Sequence, residues 1–414
     1  MKGILNFLVV WLNWRTLLAA AWRAGVAITD WRTHLRKIMG KPIVDAVFIT
    51  NMRDPFDRKT YLGLWRPAKG HFNGPRYWLG GLFGVAGRTR ALDIVPEDLM
   101  TPSGRHKAQE YFRAATAWAQ KRGAKVILLA AGLKRLFGQD GIRLKEEFPG
   151  LIFTIGDNGT ALNLMREISR ALRQAGLKPE SSRIGVLGPS GFLGRAAVNF
   201  LCARGYEVMG LGTAPSRLAE MAEDFRIETC TEFSEMGKVD AVIACTHHEK
   251  SRLSLEAIAS IRKTGKKLLV IDVAEPYNLT EEVFRACQDR VIRLDAGNAF
   301  SPRLKYVLGA ISYRLSRLTR GVTFGCFAET MAIASAIASR KEVKEINWFA
   351  VSQENIRVIA EIFKEVGFTV PSPRCFGEPV RSFDPTLASE QARRTLPQAV
   401  EETQGVRHHE VAHV

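Results

Sequence analysis

A glycine turn between an apolar strand and a helix, a train of apolar strand patterns after it, and α/β patterning before it together predict a doubly wound parallel α/β fold. The turn is Gly188-Pro189-Ser190-Gly191-Phe192-Leu193-Gly194, preceded by Arg183-Ile184-Gly185-Val186-Leu187 and followed by Arg195-Ala196-Ala197-Val198. Strand patterns then recur at 207–212, 240–246, 266–273 and 290–295, alternating with helical stretches at 218–225 and 253–262. The expected arrangement is discontinuous: a Rossmann-like sheet inserted between parts of a second α/β domain.

In chain order, residues 1–42 stand apart. Gly3 to Trp14 is apolar and uncharged, but Arg15 and Arg23 interrupt the stretch after it, so the run falls short of the roughly 18 residues a membrane span needs. On a helical projection Lys2, Asn6, Asn13, Thr16 and Arg23 share one side, while Leu5, Phe7, Leu8, Trp11 and Trp22 cover the rest. Seven Lys/Arg against one Asp make the segment basic, and a basic, Trp-containing amphipathic helix reads as a peripheral anchor on a membrane surface. A secretory signal is the rival, since a short apolar core precedes Ala19-Ala20-Ala21; Arg15 breaks that core.

Residues 43–180 carry the first α/β patterning, including the strand KVILLA ending in Ala130-Ala131-Gly132-Leu133. The loop at 155–160 holds Asp157, Asn158 and Thr160 just before the helical ALNLMREISRAL, where capping is one role for Asp157 and Thr160 and chemistry the other. Trp65, Phe72, Trp78 and Phe83 suit either an apolar tunnel or ordinary core, with core favoured. Residues 181–300 form the nucleotide-binding unit. Gly188, Ser190, Gly191, Phe192, Leu193 and Gly194 would let a dinucleotide pyrophosphate approach the backbone and rest on a helix N-terminus. Beyond the second strand no carboxylate stands where NAD enzymes place one; Thr213, Ser216 and Arg217 stand there instead, which suits a 2′-phosphate and favours NADPH. Thr246, His247 and His248 end the strand DAVIACT, where ligands sit in open sheets; His247 is a candidate proton donor and Thr246 a candidate cofactor contact.

Residues 301–375 form a return segment with its key residue in Gly325-Cys326-Phe327-Ala328-Glu329-Thr330. Cys326 falls in the first turn of a helix, where free N–H groups and the dipole favour a thiolate and a depressed pKa, while Glu329 one turn on opposes it. A small buried hydrophobe is the plain alternative. From Phe376 the composition predicts a disordered tail. Its His409-Glu410-Val411-Ala412-His413 matches a zinc-protease pattern, but it ends one residue before the last, and no metal is expected.

These segments resemble the cyanobacterial-type long-chain acyl-[acyl carrier protein] reductases, which form fatty aldehydes. The resemblance spans about Val44 to Pro373 and rests on Thr154-Ile155-Gly156-Asp157-Asn158-Gly159-Thr160-Ala161, the glycine turn, the run from Val270 to Asn278, Ala130-Ala131-Gly132-Leu133, and above all Phe324-Gly325-Cys326-Phe327-Ala328-Glu329. It implies that 43–180 is an acyl-substrate domain and that Cys326 accepts the acyl group from a thioester before NADPH-dependent reduction. Asp157, Thr160 and His247 are the polar candidates around it. The family's arginine pair after the second strand is reduced here to Arg217, and its Gly-Gly is replaced by Val273-Ala274-Glu275.

The implied partners are an acyl carrier protein or acyl-CoA, and a downstream aldehyde-consuming enzyme. Net charge is +17, from 59 Lys+Arg against 42 Asp+Glu. Two basic stretches, one from Arg53 to Arg90 and one from Arg303 to Arg320, would steer an acidic carrier; no nucleic-acid partner is expected. Six scattered cysteines with no C-x-x-C pair fit a reducing, cytoplasmic setting. Two rival functions remain: another NADP-dependent oxidoreductase of a carbonyl or alcohol, with Cys326 structural, and a non-catalytic NADP-binding sensor.

Overall fold

The computed structural model describes residues 14–62, 67–81, 84–138, 141–315, 318–339, 343 and 346–387. Two six-stranded sheets organise the chain. The first contains β1 (Ala46–Thr50), β2 (His71–Leu79), β3 (Val85–Leu92), β4 (Val126–Leu129), β5 (Ile152–Thr154) and β13 (Leu304–Tyr306), in the order β13-β2-β3-β1-β4-β5. β3, β1, β4 and β5 run parallel, and β2 and β13 close one edge antiparallel. The continuous apolar run of β4, Val-Ile-Leu-Leu, is buried throughout, as a strand covered on both faces must be.

The second sheet is built from β6 (Arg183–Leu187), β7 (Glu207–Leu211), β8 (Glu228–Cys230), β9 (Ala241–Ala244), β10 (Leu268–Asp272) and β11 (Val291–Asp295), in the order β11-β10-β9-β6-β7-β8. All its pairings are parallel. This is the strand order of a Rossmann sheet, with the order reversing between β6 and β9. The chain enters it from the helix Asp157–Gln174 and leaves it through β12 (Asn298–Phe300), which pairs with β14 (Val322–Phe324). Because β13 returns to the edge of the first sheet, the Rossmann unit is an insertion in a second α/β unit.

The helix Gly325–Ala338 follows β14 and lies over the first sheet beside Asp157–Gln174, with Gln353–Val366 packed against both. Phe327 stacks on Phe48 of β1 with centroids 4.3 Å apart, and Tyr77 meets both rings edge-on. The core reading of the aromatics is borne out for Phe72 and Trp78, and the expectation for the tail changes. Trp78 and Phe72 are core residues under the N-terminal helix and the strand edge; Trp65 and Phe83 lie outside the described residues. Residues 376–387 are not a free tail. Phe376 packs on Tyr277, with the Arg293 guanidinium 3.8 Å from its ring centroid, Gly377 N–H donates to Asp295 at 3.0 Å, and Lys267 N–H donates to Pro385 O at 2.6 Å. Composition counts polar residues, whereas these contacts depend on one aromatic finding a buried cation. The zinc-protease pattern lies outside the described residues.

The N-terminal segment also differs from its amphipathic projection. The helix Trp14–Thr29 turns Ala19, Trp22 and Val26 inward against Trp78, Ala86 and Val307, and Trp22 Nε1 donates to Ser312 Oγ at 3.1 Å. No helix among the described residues is long and apolar enough to cross a membrane. The joint to the next helix, Trp31–Ile38, is Asp30, which accepts from Arg76 at 2.8 Å and from Trp78 Nε1 at 3.2 Å, with Arg88 at 3.8 Å. Its side chain is 1% exposed, so Asp30→Ala would strand two buried guanidinium groups. The expected cost in urea unfolding is about 3–5 kcal/mol; a loss within experimental error would show that the N-terminal helices are not fastened this way.

Candidate active site

Cys326 lies in the first turn of the helix Gly325–Ala338, and two glycines fix where that turn can go. A Cβ on Gly156, whose φ is +74°, would fall 2.2 Å from the Cys326 Cβ. One on Gly325 would fall 2.7 Å from the Thr160 Cα and 2.4 Å from the Gly297 carbonyl oxygen. Only glycine allows such approach, so the first turns of the cysteine helix and of Asp157–Gln174 meet backbone to backbone. Two helix N-termini therefore converge on one place, although Gly159 N–H donates to Glu329 and Gly325 N–H to the Gly297 carbonyl.

Charged groups gather around it from the carboxyl ends of the first sheet's strands. Lys134, in the 3₁₀ turn Ala131–Arg135 after β4, forms a salt bridge with Asp157. Glu329, fully buried, accepts from the Thr154 hydroxyl with one oxygen and from Gly159 N–H with the other, at 2.6 Å. Neither Asp157 nor Thr160 is a cap. The N-cap is Gly156, which has no capping side chain; Asp157 turns to Lys134, and the Thr160 hydroxyl donates to the Gly156 carbonyl at 2.9 Å. Asn158 instead ties down a neighbouring loop, donating to Ala350 O at 3.0 Å and accepting from Ser352 N–H at 3.3 Å.

The expectation of a depressed Cys326 pKa is overturned. Burial dominates and pushes the thiol up to about 12; Asp157 and Glu329 add to the rise, and Lys134 opposes it. Helix ends and a single cation do not compensate for loss of water around sulfur, so the resting residue is a thiol. Burial likewise lifts the Glu329 carboxyl to about 7. Lys134 stays a cation: burial disfavours its charge, but Asp157, Cys326 and Glu329 outweigh that and raise its pKa.

The dinucleotide side lies at the reversal point of the second sheet. Gly188, with φ +77°, sits against Thr246: a Cβ there would be 2.8 Å from the Thr246 Cβ. A Cβ on Gly194 would be 2.0 Å from the Gly188 carbonyl oxygen. Gly191 is the N-cap of the helix Phe192–Cys202 and carries no capping side chain, so Ser190 to Gly194 present bare backbone at a helix start, the cradle a pyrophosphate fits. Thr213 and Arg217 are both exposed just beyond β7. Leu193 packs against the apolar cluster under the cysteine helix, and the Arg135 guanidinium lies 3.9 Å from the Phe192 ring centroid. Cys326, Asp157, Lys134, Arg135 and the glycine turn thus succeed one another across the boundary between the two units.

His247 is exposed beyond β9 and answers to a different set of charges. Its pKa is lowered by burial, Arg252 and His248, whereas the charges acting on Cys326 are Lys134, Asp157 and Glu329. Buried Asn278 holds that strand end, donating to Thr246 O at 2.7 Å and Ser251 O at 2.8 Å. The first basic stretch is divided, with Lys59 and Lys69 exposed. Arg76, Arg88 and Arg90 are buried and Arg53 pairs with Asp57; Arg66, Arg317 and the side chain of Arg314 lie outside the described residues. Sequence reasoning misses Lys134 and Thr154 as site residues, although Lys134 comes directly after the strand end Ala130-Ala131-Gly132-Leu133 and so had a positional signal.

Residues 170–296 match the family described as shikimate / quinate 5-dehydrogenase, under a third of the chain. This part of the chain is an NAD(P)-binding domain of oxidoreductase type. No curated protein matches the sequence. Among solved structures, the chain is similar to shikimate 5-dehydrogenase from Thermus thermophilus in complex with shikimate, at 13% identity over 78% of this chain and 100% of that one, with a TM-score of 0.34. The nucleotide-binding domain of glutamyl-tRNA reductase from Thermoplasma volcanium is matched at 17% identity over 31% of this chain and 84% of that one, TM-score 0.24. Dipicolinate synthase from Bacillus halodurans is matched at 16% identity over 41% of this chain but 57% of that one, TM-score 0.30, so the chain spans little more than half its length.

If Lys134 is the cation that limits the rise at Cys326, Lys134→Met should slow iodoacetamide alkylation of Cys326 at pH 8 by about tenfold, since an opposite charge at close range moves a pKa by about 1–3. Peptide mapping reads the rate at that residue. An unchanged rate would remove Lys134 from the site's electrostatics.

Proposed function

We propose that the protein reduces a fatty acyl thioester, carried by acyl carrier protein or coenzyme A, to an aldehyde with NADPH, through an acyl group held on Cys326. The observation that supports this reading most is the position of Cys326. A cysteine at the meeting of two helix N-termini, next to a Lys–Asp pair and a buried carboxyl, lies at the boundary with the dinucleotide cradle. The rival reading with His247 as acid/base has His248 and Arg252 beside that residue, and both lower its pKa. Thr213, Ser216 and Arg217, exposed after β7 with no carboxylate among them, suit the 2′-phosphate of NADPH.

Each residue of the cluster has its own part in the reaction. Glu329, whose pKa of about 7 is poised near neutrality, takes the thiol proton as Cys326 sulfur adds to the thioester carbonyl. Lys134 stabilises the charge that passes through sulfur, and the positive ends of the two helices favour negative charge on the carbonyl oxygen. The carbon–sulfur bond to the carrier then breaks, and the carrier sulfur leaves with that proton as a free thiol, leaving the acyl group on Cys326. NADPH, when bound at the glycine turn, supplies hydride to that acyl carbon. The resulting thiohemiacetal oxyanion re-forms its carbonyl as the bond to Cys326 breaks; the aldehyde departs, and sulfur takes up a proton. One thioester, one NADPH and one proton give one aldehyde, one carrier thiol and NADP⁺.

A serine hydroxyl, with a pKa far above that of a thiol, is a much weaker nucleophile at this position. Cys326→Ser should lower aldehyde output from long-chain acyl-CoA and NADPH by about 10³-fold or more while leaving NADPH binding unchanged, because the glycine turn holds the cofactor through its own backbone. Gas chromatography of the aldehyde and fluorescence titration of NADPH read the two halves, and NADH should serve the unaltered protein poorly. Substantial aldehyde from the serine variant would overturn the role of Cys326.

A further inference from the structure

The helix Trp14–Thr29 has two faces, and both are apolar. Its inner face, with Trp22 and Val26, is taken up by the first sheet's edge. Its outer face, with Leu17, Leu18, Ala21, Ala24 and Ile28, is open: Leu17 is 45%, Leu18 49% and Ile28 75% exposed. Past the Asp30 corner the exposed apolar character continues at Trp31, 56% exposed, and Ile38, 83% exposed. A run of this kind on a water-facing helix is costly unless something covers it.

The charges around it say what. Asp30 is the sole acid among residues 1–44, and it is buried and committed to Arg76. Lys37 and Lys41 are exposed, and Arg32 reaches across Trp31 with its guanidinium 5.5 Å from the ring centroid. Apolar residues beside a Trp and exposed cations match an anionic lipid surface, where acyl chains take the apolar face and headgroups the cations. A second copy is the poorer occupant, since a two-fold interface would bring Lys37 and Lys41 towards their own counterparts. In sequence an uncharged apolar run from Gly3 to Trp14 leads into this helix.

We propose that the outer face of Trp14–Thr29, with Trp31, Lys37 and Lys41, docks the protein on an anionic phospholipid surface. The side that binds is therefore not the Trp22 side: Trp22 is the protein's grip on its own anchor. This holds whatever reaction the site catalyses.

Flotation of the full chain with phosphatidylcholine vesicles, and with vesicles containing roughly three tenths phosphatidylglycerol, tests it. The chain should float with the anionic vesicles only, and Leu17→Glu with Ile28→Glu should reduce the bound fraction by about tenfold. Both positions are exposed, so the melting temperature should not change. Lys37→Glu with Lys41→Glu tests the charged half and should also weaken flotation. Failure of the unaltered chain to float overturns the proposal, as does unchanged flotation of the Leu17/Ile28 variant. So does a dimer in light scattering that this variant dissolves, which would make the covering partner a second copy.

Discussion

The close approach of Gly156 to Cys326 governs everything around the candidate site. Two helices start on top of one another there, one after β5 and one after β14, and the chain permits it only because Gly156, Gly159 and Gly325 lack side chains. A Cβ on Gly159 would sit 2.9 Å from the Glu329 Cβ, so the same economy of atoms that admits the cysteine also brings Glu329 within reach of the Gly159 N–H and the Thr154 hydroxyl. Because residues 156–160 and 325–329 belong to segments separated by the whole Rossmann unit, this contact is also what closes the second α/β unit around its insertion. Glu167 reinforces the closure from the next turns of the same helix, accepting from Gly297 N–H at 2.6 Å where the chain returns.

Such packing sets a trade between order and reactivity. Burial raises the thiol, lifts Glu329 to about 7 and lifts Glu167 to about 8, so the junction holds groups that resist ionising. Lys134 works against that trend at Cys326 and Glu329, as Arg170 does at Glu167, and Lys134 is itself held charged by its neighbours. A nucleophile of this kind is quiet in water and gains reactivity when a proton acceptor is next to it, which is the arrangement expected of a residue that must react with a thioester and not with solvent or oxidants.

The large features were legible because their signals are local. The glycine turn, the strand before it and the helix beyond it lie within about twenty residues, and parallel strands announce themselves as apolar runs. Cys326 is marked by its place at a helix start. What escapes the sequence depends on contacts between distant segments: Lys134 with Asp157, Thr154 with Glu329, and the burial that reverses the sign of the helix-end effect on the thiol. Asp157 and Thr160 have the residue types of helix caps, but the tertiary pair with Lys134 and the tight Gly156 turn outweigh that local preference. Trp22 failed for a related reason. A helical projection separates polar from apolar sides, yet cannot say which of two apolar sides the protein takes for itself.

Covalent capture at Cys326 is the central step of the proposed reaction, and it is separable from reduction. Incubating the pure protein with long-chain acyl-CoA in the absence of NADPH and recording its intact mass tests it directly. The unaltered protein should gain the mass of one acyl group, retained in denaturant, removed by hydroxylamine and missing from Cys326→Ala. An unmodified mass under conditions where aldehyde forms on adding NADPH, or an adduct that persists in Cys326→Ala, would contradict it.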